Sequence, residues 1–403
     1  MAQNHPLNRV YFQVSFLSHF LYSWRSNLVI NVHLIDTQSK TQVKRFVEFP
    51  FELYADCPQW VPPFRSDVRV MLDREKHPLY ERSDADFLVA ERDGKTVGQM
   101  AVFEHKPFNA YHHKNQAQFT LFDCVNDQEV ANALFEAGFE WARKRGLDRV
   151  VGPKGFCSFD GYGILIEGFE HPQMMTMVPY NYDYYPELLE GAGFSKEVDF
   201  ISFHLVSGNM SLSEKAVEVA RRVRERKYMT LKEFPTKREL KKYLQRFGEL
   251  YNNTFINNWE YYPLSKKEIQ FLLDSLIAVI DPRLVKFIMK KEEIIGFILA
   301  FPDLTPQLQR AKGRLTPWAL LDLLFGMNRA KSVALNGAAV LPEYYGRGGN
   351  ALLYSEIEKT IKDYGYEHAE MIQIADTAVQ MRRDMAALGA TSFKTYRVYG
   401  REI

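Results

Sequence analysis

Residues 333–341 are apolar but for Asn336 and Gly337, and the run reads as a buried strand. Pro342 ends it, and glycines stand at 346, 348 and 349. Apolar residues then recur at Ala351, Leu352, Leu353, Ile357 and Ile361, the spacing of a helix with one buried face. Upstream, residues 285–301 alternate two apolar stretches about a charged turn and predict a hairpin. The same shape occurs earlier, over 87–103, where Asp93 and Gly94 make the turn. Gly98 and Gly296 occupy matching places in the two hairpins. Long helices are predicted over 128–146 and 351–365, each ending in glycine. Gly193 and Gly389 each close a further helix and precede strands at 197–205 and 393–399. The order hairpin, strand, helix, strand, helix, strand therefore runs twice, over 31–206 and 207–403. The join is a packed helix over 214–227, because Val217, Ala220 and Val223 recur at helical spacing.

The chain has 403 residues, 46% hydrophobic and 25% charged, a globular composition. Its formal net charge of +1 lacks the basic footprint of a nucleic-acid binder. Cys57, Cys124 and Cys157 lie far apart without metal-ligand spacing, which suits a reducing cytoplasm. No metal is expected, and the adjacent His112 and His113 do not make a metal site alone. Cys157 has no placed base and reads as inert. Residues 1–30 form an extended N-terminal segment, aromatic and apolar between Val10 and Trp24. It is too polar for a transmembrane helix and reads either as an interfacial anchor or as an over-extended gene start. No other segment is expected to span a bilayer.

A strand that breaks into a glycine-rich turn at a helix N-terminus is suited to phosphate. Backbone N–H groups converge there, and the helix dipole favours an anion. Arg347 adds a charge-assisted contact. The turn lacks the Gly-Lys-Ser/Thr ending of a Walker loop and the third glycine of a dinucleotide fingerprint. Strand, paired glycines and long helix resemble the acyl-CoA loop of the GNAT acyltransferase superfamily, although Tyr345 and Asn350 depart from its consensus. The resemblance covers both halves. Together with Trp60–Pro63 and the last strand, the chain resembles bacterial tandem-GNAT proteins, some relatives of which are placed as N-acyltransferases in bacterial ceramide synthesis. It implies an α/β fold of two GNAT-like lobes, mixed sheets flanked by helices.

The resemblance further implies an N-acyltransferase that moves an acyl group from an acyl-CoA, or acyl-ACP, thioester to an amine. The acceptor it suggests is a long-chain, lipid-like one. Val340, Leu341, Gly346, Arg347, Gly348, Gly349 and Asn350 would hold the cofactor. The first half, with Asp127 and Glu129 where the loop should be, reads as a degenerate partner that shapes the cleft. The tyrosine that serves as general acid in many members is replaced by Met385, which leaves Tyr396 or Tyr399 as substitutes. Asp376, at the start of the last helix, is the first candidate base, with His368 and Glu370 beside it. Glu260 and Tyr262 lie in the loop that borders the acceptor in this fold. Two apolar insertions, 302–328 and 152–180, are expected to flank one elongated cleft, with Trp318 to Phe325 on one wall and the Met/aromatic stretch 156–177 on the other. The expected location is cytoplasmic, with peripheral contact with the inner membrane left open. Two rival readings stand beside this one: a catalytically silent acyl-CoA-binding or interaction module, and an N-acetyltransferase of small amines.

Overall fold

The computed structural model describes residues 29–157, 160–175, 178–256, 258–259 and 261–403, with backbone only at Gln245. The segment 1–28, Phe159, Met177 and Glu260 therefore lie outside the described residues.

The first half runs β1 (Asn31–Leu34), α1 (Lys40–Leu53), α2 (Arg65–Leu72), β2 (Asp84–Arg92), β3 (Lys95–Glu104), α3 (Lys106–His112), β4 (Gln116–Cys124), α4 (Gln128–Arg143), β5 (Arg149–Gly152), β6 (Ile164–Glu167), α5 (Tyr185–Gly191) and β7 (Ser195–Val206). The second half runs α6 (Glu214–Arg226), β8 (Thr230–Lys232), α7 (Lys237–Thr254), α8 (Lys266–Val279), β9 (Val285–Lys290), β10 (Glu293–Pro302), α9 (Thr305–Ala311), α10 (Pro317–Met327), β11 (Ser332–Val340), α11 (Gly349–Asp363), β12 (His368–Ala375), α12 (Val379–Ala387) and β13 (Thr391–Glu402). The repeated order expected from the sequence is present in both halves.

The strands join in one mixed sheet, in the order β1-β2-β3-β4-β5-β13-β7-β12-β11-β10-β9-β8, with β6 paired to β13. Neighbours are antiparallel except β4 with β5 and β11 with β12, each joined by a helix. At the centre the two halves exchange their last strands. β7 pairs with β12 of the second half, and β13 pairs with β5 of the first. The side chains follow the backbone: Phe203 and Leu205 are buried in the second half's core, and Tyr399 in the first half's. A cut between 206 and 207 therefore does not separate two sheets. β7 and β13 also pair with each other from Ser195 to His204, with the register slipping twice, so the exchanged strands lie side by side.

The helix starts differ in a way that matters below. α4 is capped by Asp127, whose carboxylate accepts from the amides of Glu129 and Val130. α8 carries a capping box between Ser265 and Glu268. α11 starts after Gly348 in the left-handed region, and no side chain caps it.

Candidate functional site

β11 and β12 pair in parallel only from Ser332 with His368 to Leu335 with Met371. Bulges bend them apart beyond that point. On β11 the register against β10 slips at Asn336, and on β12 the register against β7 slips between Met371 and Ile374. Gln373, inside the second bulge, has φ of 58°, a sparsely populated conformation for a residue with a side chain. A cavity of about 1130 Å³ opens between the strands. Its walls include Gly337 to Val340 on one side and Ile372 to Ala375 on the other. A Cβ at Gly337 would meet only Phe297, at 3.8 Å, so this wall has room for a chain beside it.

One end of the cavity is the glycine turn. Gly346, Gly348, Gly349 and Asn350 line it, and the first turn of α11 points into it. Lys215 of α6 is also on its wall. Arg347 is exposed, and its guanidinium donates to the hydroxyl of Tyr228 at 2.8 Å. Lys290 donates to the hydroxyl of Tyr344 at 3.1 Å; that bond, more than any other contact, raises its pKa. Of these three cations Lys215 alone is on the cavity wall; Arg347 and Lys290 lie off it, tied to Tyr228 and Tyr344. Val340 lines the cavity, but Leu341 does not, and its amide is already given to the carbonyl of Ile295 at 2.8 Å.

The far end is aromatic: Tyr162, Phe200, Trp259 and Tyr261. Tyr162 comes from the Met/aromatic stretch of the first half, which therefore reaches the cleft. Phe156 of the same stretch lines a second cavity of about 350 Å³, with Phe271, Leu272, Leu276 and Phe301 on its apolar side and Asp67, His77, Asp160 and Glu268 on the rest of its wall. Asn336 lies on the walls of both cavities. The other insertion does not take part. α10 lies on the surface, away from the lining, with Trp318 80% exposed. The expected wall from Trp318 to Phe325 is corrected accordingly: the turn at Gly313 backs onto Phe51 and Pro63 of the first half and carries the helix outward.

The side chains proposed for proton transfer are distributed differently from the sequence expectation. Asp376 precedes α12 rather than opening it, and its carboxylate accepts from Lys196 at 2.7 Å, off the cavity wall. Tyr262 turns into the core. Its ring packs on His105 at 4.2 Å, and burial, reinforced by the nearby Glu268 carboxylate, pushes its pKa well up. Its neighbour Tyr261 faces the cavity instead, with its hydroxyl donated to the carbonyl of Asn252 at 2.7 Å. Glu370 is buried against Lys394 at 3.2 Å, and burial pushes its pKa up to about 6. His368 faces His204 at 3.2 Å. Tyr396 and Tyr399 are fully buried. A tyrosine that sequence reading passed over does reach the wall: Tyr354 on α11, whose hydroxyl meets Met381 Sδ at 3.3 Å. Burial pushes its pKa up, so it holds its proton at neutral pH. Its place between Ala351 and Ile357 on the apolar face was the available signal.

The corresponding place in the first half is closed. β4 and β5 pair in parallel only from Gln116 to Gln118, but the amide of Lys154 then donates to the carbonyl of Phe119 at 2.8 Å and bridges the gap. Asp127 occupies the helix end and is paired with Arg92 at 2.7 Å. Burial works against its charge, but the bond from Arg92 and the helix amides outweigh it and hold the carboxyl below its usual range. Tyr184 and Tyr185 fasten Cys124 through its carbonyl and amide.

No protein-family model matches the chain. Its sequence is 25% identical over 378 residues to Protein YghO of Escherichia coli (strain K12), covering 91% of this chain and 94% of that one. It is likewise 25% identical over 380 residues to a bacterial ceramide synthase of Caulobacter vibrioides, covering 92% and 97%. A tandem GNAT protein from the clavulanic acid biosynthesis pathway superposes with a TM-score of 0.53 at 11% identity, over 93% of this chain and 98% of that one. The chain has the tandem GNAT fold, as the sequence reading expected.

Proposed function

We propose that the protein is an N-acyltransferase that seats an acyl-CoA thioester in the cleft between β11 and β12 and passes the acyl group to a long-chain amine. The observation that carries the reading is the cleft itself. Two strands diverge, a helix end without a side-chain cap faces the gap, and an apolar passage continues past it. The glycine turn and Lys215 suit the pyrophosphate. The pantetheine arm lies along Gly337 to Val340. Holding thioester and amine in one cleft makes the attack effectively unimolecular. Backbone N–H groups on the splayed strands polarise the thioester carbonyl. The nitrogen lone pair adds to that carbonyl and the nitrogen gives up one proton to solvent; the C–S bond then breaks, and the thiolate takes a proton. Tyr354 is assigned as the donor of that proton. The likeness to a ceramide synthase over nearly the whole chain supports the choice of acceptor.

The apolar side of the second cavity, Phe156, Phe271, Leu272, Leu276 and Phe301, gives an acyl chain a place beyond the thioester, past the shared wall of Asn336. Each methylene buried there contributes about 0.8 kcal/mol. A small polar amine or an acetyl group gains nothing from such walls. The test is thiol release from a series of acyl-CoA donors with a long-chain amino alcohol or with spermidine as acceptor. The account expects kcat/KM to climb with chain length on the donor and to favour the long-chain acceptor. Equal rates for acetyl and palmitoyl donors on both acceptors would remove the long-chain reading. Binding of the thioester without release on any amine would leave a silent binding module.

A further inference from the structure

α10 gathers several exposed large hydrophobic side chains of the described residues in one place. Trp318 is 80% exposed and Phe325 61%, and Leu315, Leu320, Leu321 and Leu324 are exposed with them. The helix touches α9 along one side, where Gly326 rests on Gln307 and Asp322 pairs with Arg310 at 2.9 Å. A helix that is apolar all round and open to water on most sides marks a contact surface. Its base is anchored to the body. Gln309 donates to the carbonyl of Pro58 at 2.8 Å, and the amide of Arg65 donates to Gly313 at 3.1 Å. Between residues 310 and 331 the chain carries five cations against one acid, Asp322. Arg310 is paired with Asp322, and Lys331 with Glu367 at 2.8 Å. Lys312, Arg314 and Arg329 are exposed, and among the described residues no carboxylate pairs with them.

We propose that α10 docks the protein on a bilayer surface carrying anionic phospholipid headgroups. The helix lies in the plane of the interface, with Trp318, Leu321, Leu324 and Phe325 among the upper acyl chains. Trp and Phe beside Leu are the residues such an interfacial face carries. Lys312, Arg314 and Arg329 reach the phosphates. With eleven residues it is too short to cross the membrane. A second copy of the chain is the other occupant to weigh. A two-fold contact through α10 would bring the same three cations to their own counterparts, whereas anionic headgroups complement them. This inference stands on surface chemistry and does not rest on acyl transfer.

Flotation of the full chain with vesicles tests it. The protein should rise with vesicles of phosphatidylcholine and phosphatidylglycerol and stay mostly behind with phosphatidylcholine alone. Trp318→Ser with Leu324→Ser should weaken partition roughly a hundredfold. Lys312→Ala, Arg314→Ala and Arg329→Ala together should weaken it about a hundredfold by a route that leaves the apolar face intact. Both variants should melt like the wild type, since they change exposed side chains. Absence of flotation, or flotation that neither variant reduces, overturns the proposal. So does a wild-type dimer in sedimentation that Trp318→Ser with Leu324→Ser converts to monomer without any vesicle binding.

Discussion

Gly346 and Gly348 share one turn and both have left-handed backbones, with φ of 72° and 90°, yet they tolerate change differently. A Cβ at Gly348 would sit 2.8 Å from Val219 and Val223, so Gly348→Glu pushes on α6 before it tests any ligand. A Cβ at Gly346 meets nothing within 4 Å. Gly346→Glu carries backbone strain of about 1 kcal/mol and places a carboxylate in the anion seat. It is therefore the cleaner probe. Tyr354→Phe separates binding from chemistry. It should lower kcat by about a hundredfold or more, with acyl-CoA affinity little changed. A loss of affinity without a loss of kcat would make Tyr354 a wall and not a donor. In the other half, Asp127→Ala should cost about 1 kcal/mol in chemical denaturation, because it removes a helix cap. The sign with pH follows from its depressed carboxyl. Its contribution is present above the unfolded pKa and lost as pH falls through the folded one. Wild type and variant should thus converge in acid. A constant gap down to low pH would contradict the cap's being charged.

At the scale of elements, the exchange of β7 and β13 decides what folds. Residues 29–206 alone would leave β5 without β13 and lose Tyr399 from the core. Residues 207–403 alone would leave β12 without β7 and lose Phe203 and Leu205. Neither piece should unfold cooperatively by itself, and the two expressed together should co-purify. A cooperative melt of 207–403 alone would contradict this. The sequence made the elements legible because hairpins, capping glycines and helical faces are local signals. It did not show which half each last strand joins, since β7 and β13 follow the same pattern and either fits beside the other. The glycine turn was legible from its own spacing. The aromatic wall was half legible: Tyr261 and Tyr262 are adjacent, and only the fold decides that the first faces the cleft and the second the core. α10 read as a wall of the cleft from its apolar composition, but composition carries no information about where a hairpin insertion points. Asp376 read as a free carboxylate because Lys196, its partner, lies in the other half of the chain.

Across the whole molecule the two halves share an order of elements and differ most consequentially where the second half's cavity opens. In the second half the strands part and the helix end is open to the cavity. In the first, Lys154 bridges the strands and Asp127 fills the helix end. The first half still contributes, through Tyr162 on the cavity wall and β7 in the centre of the sheet. The account therefore expects one acyl-CoA per chain and no second seat. Calorimetric titration of the full chain with a long-chain acyl-CoA tests this most directly, run beside Gly346→Glu under the same conditions. The prediction is a single site per chain in the wild type and a loss of affinity of at least about tenfold in the folded variant. Two equivalent sites, or a folded Gly346→Glu variant that binds as tightly as the wild type, would contradict it.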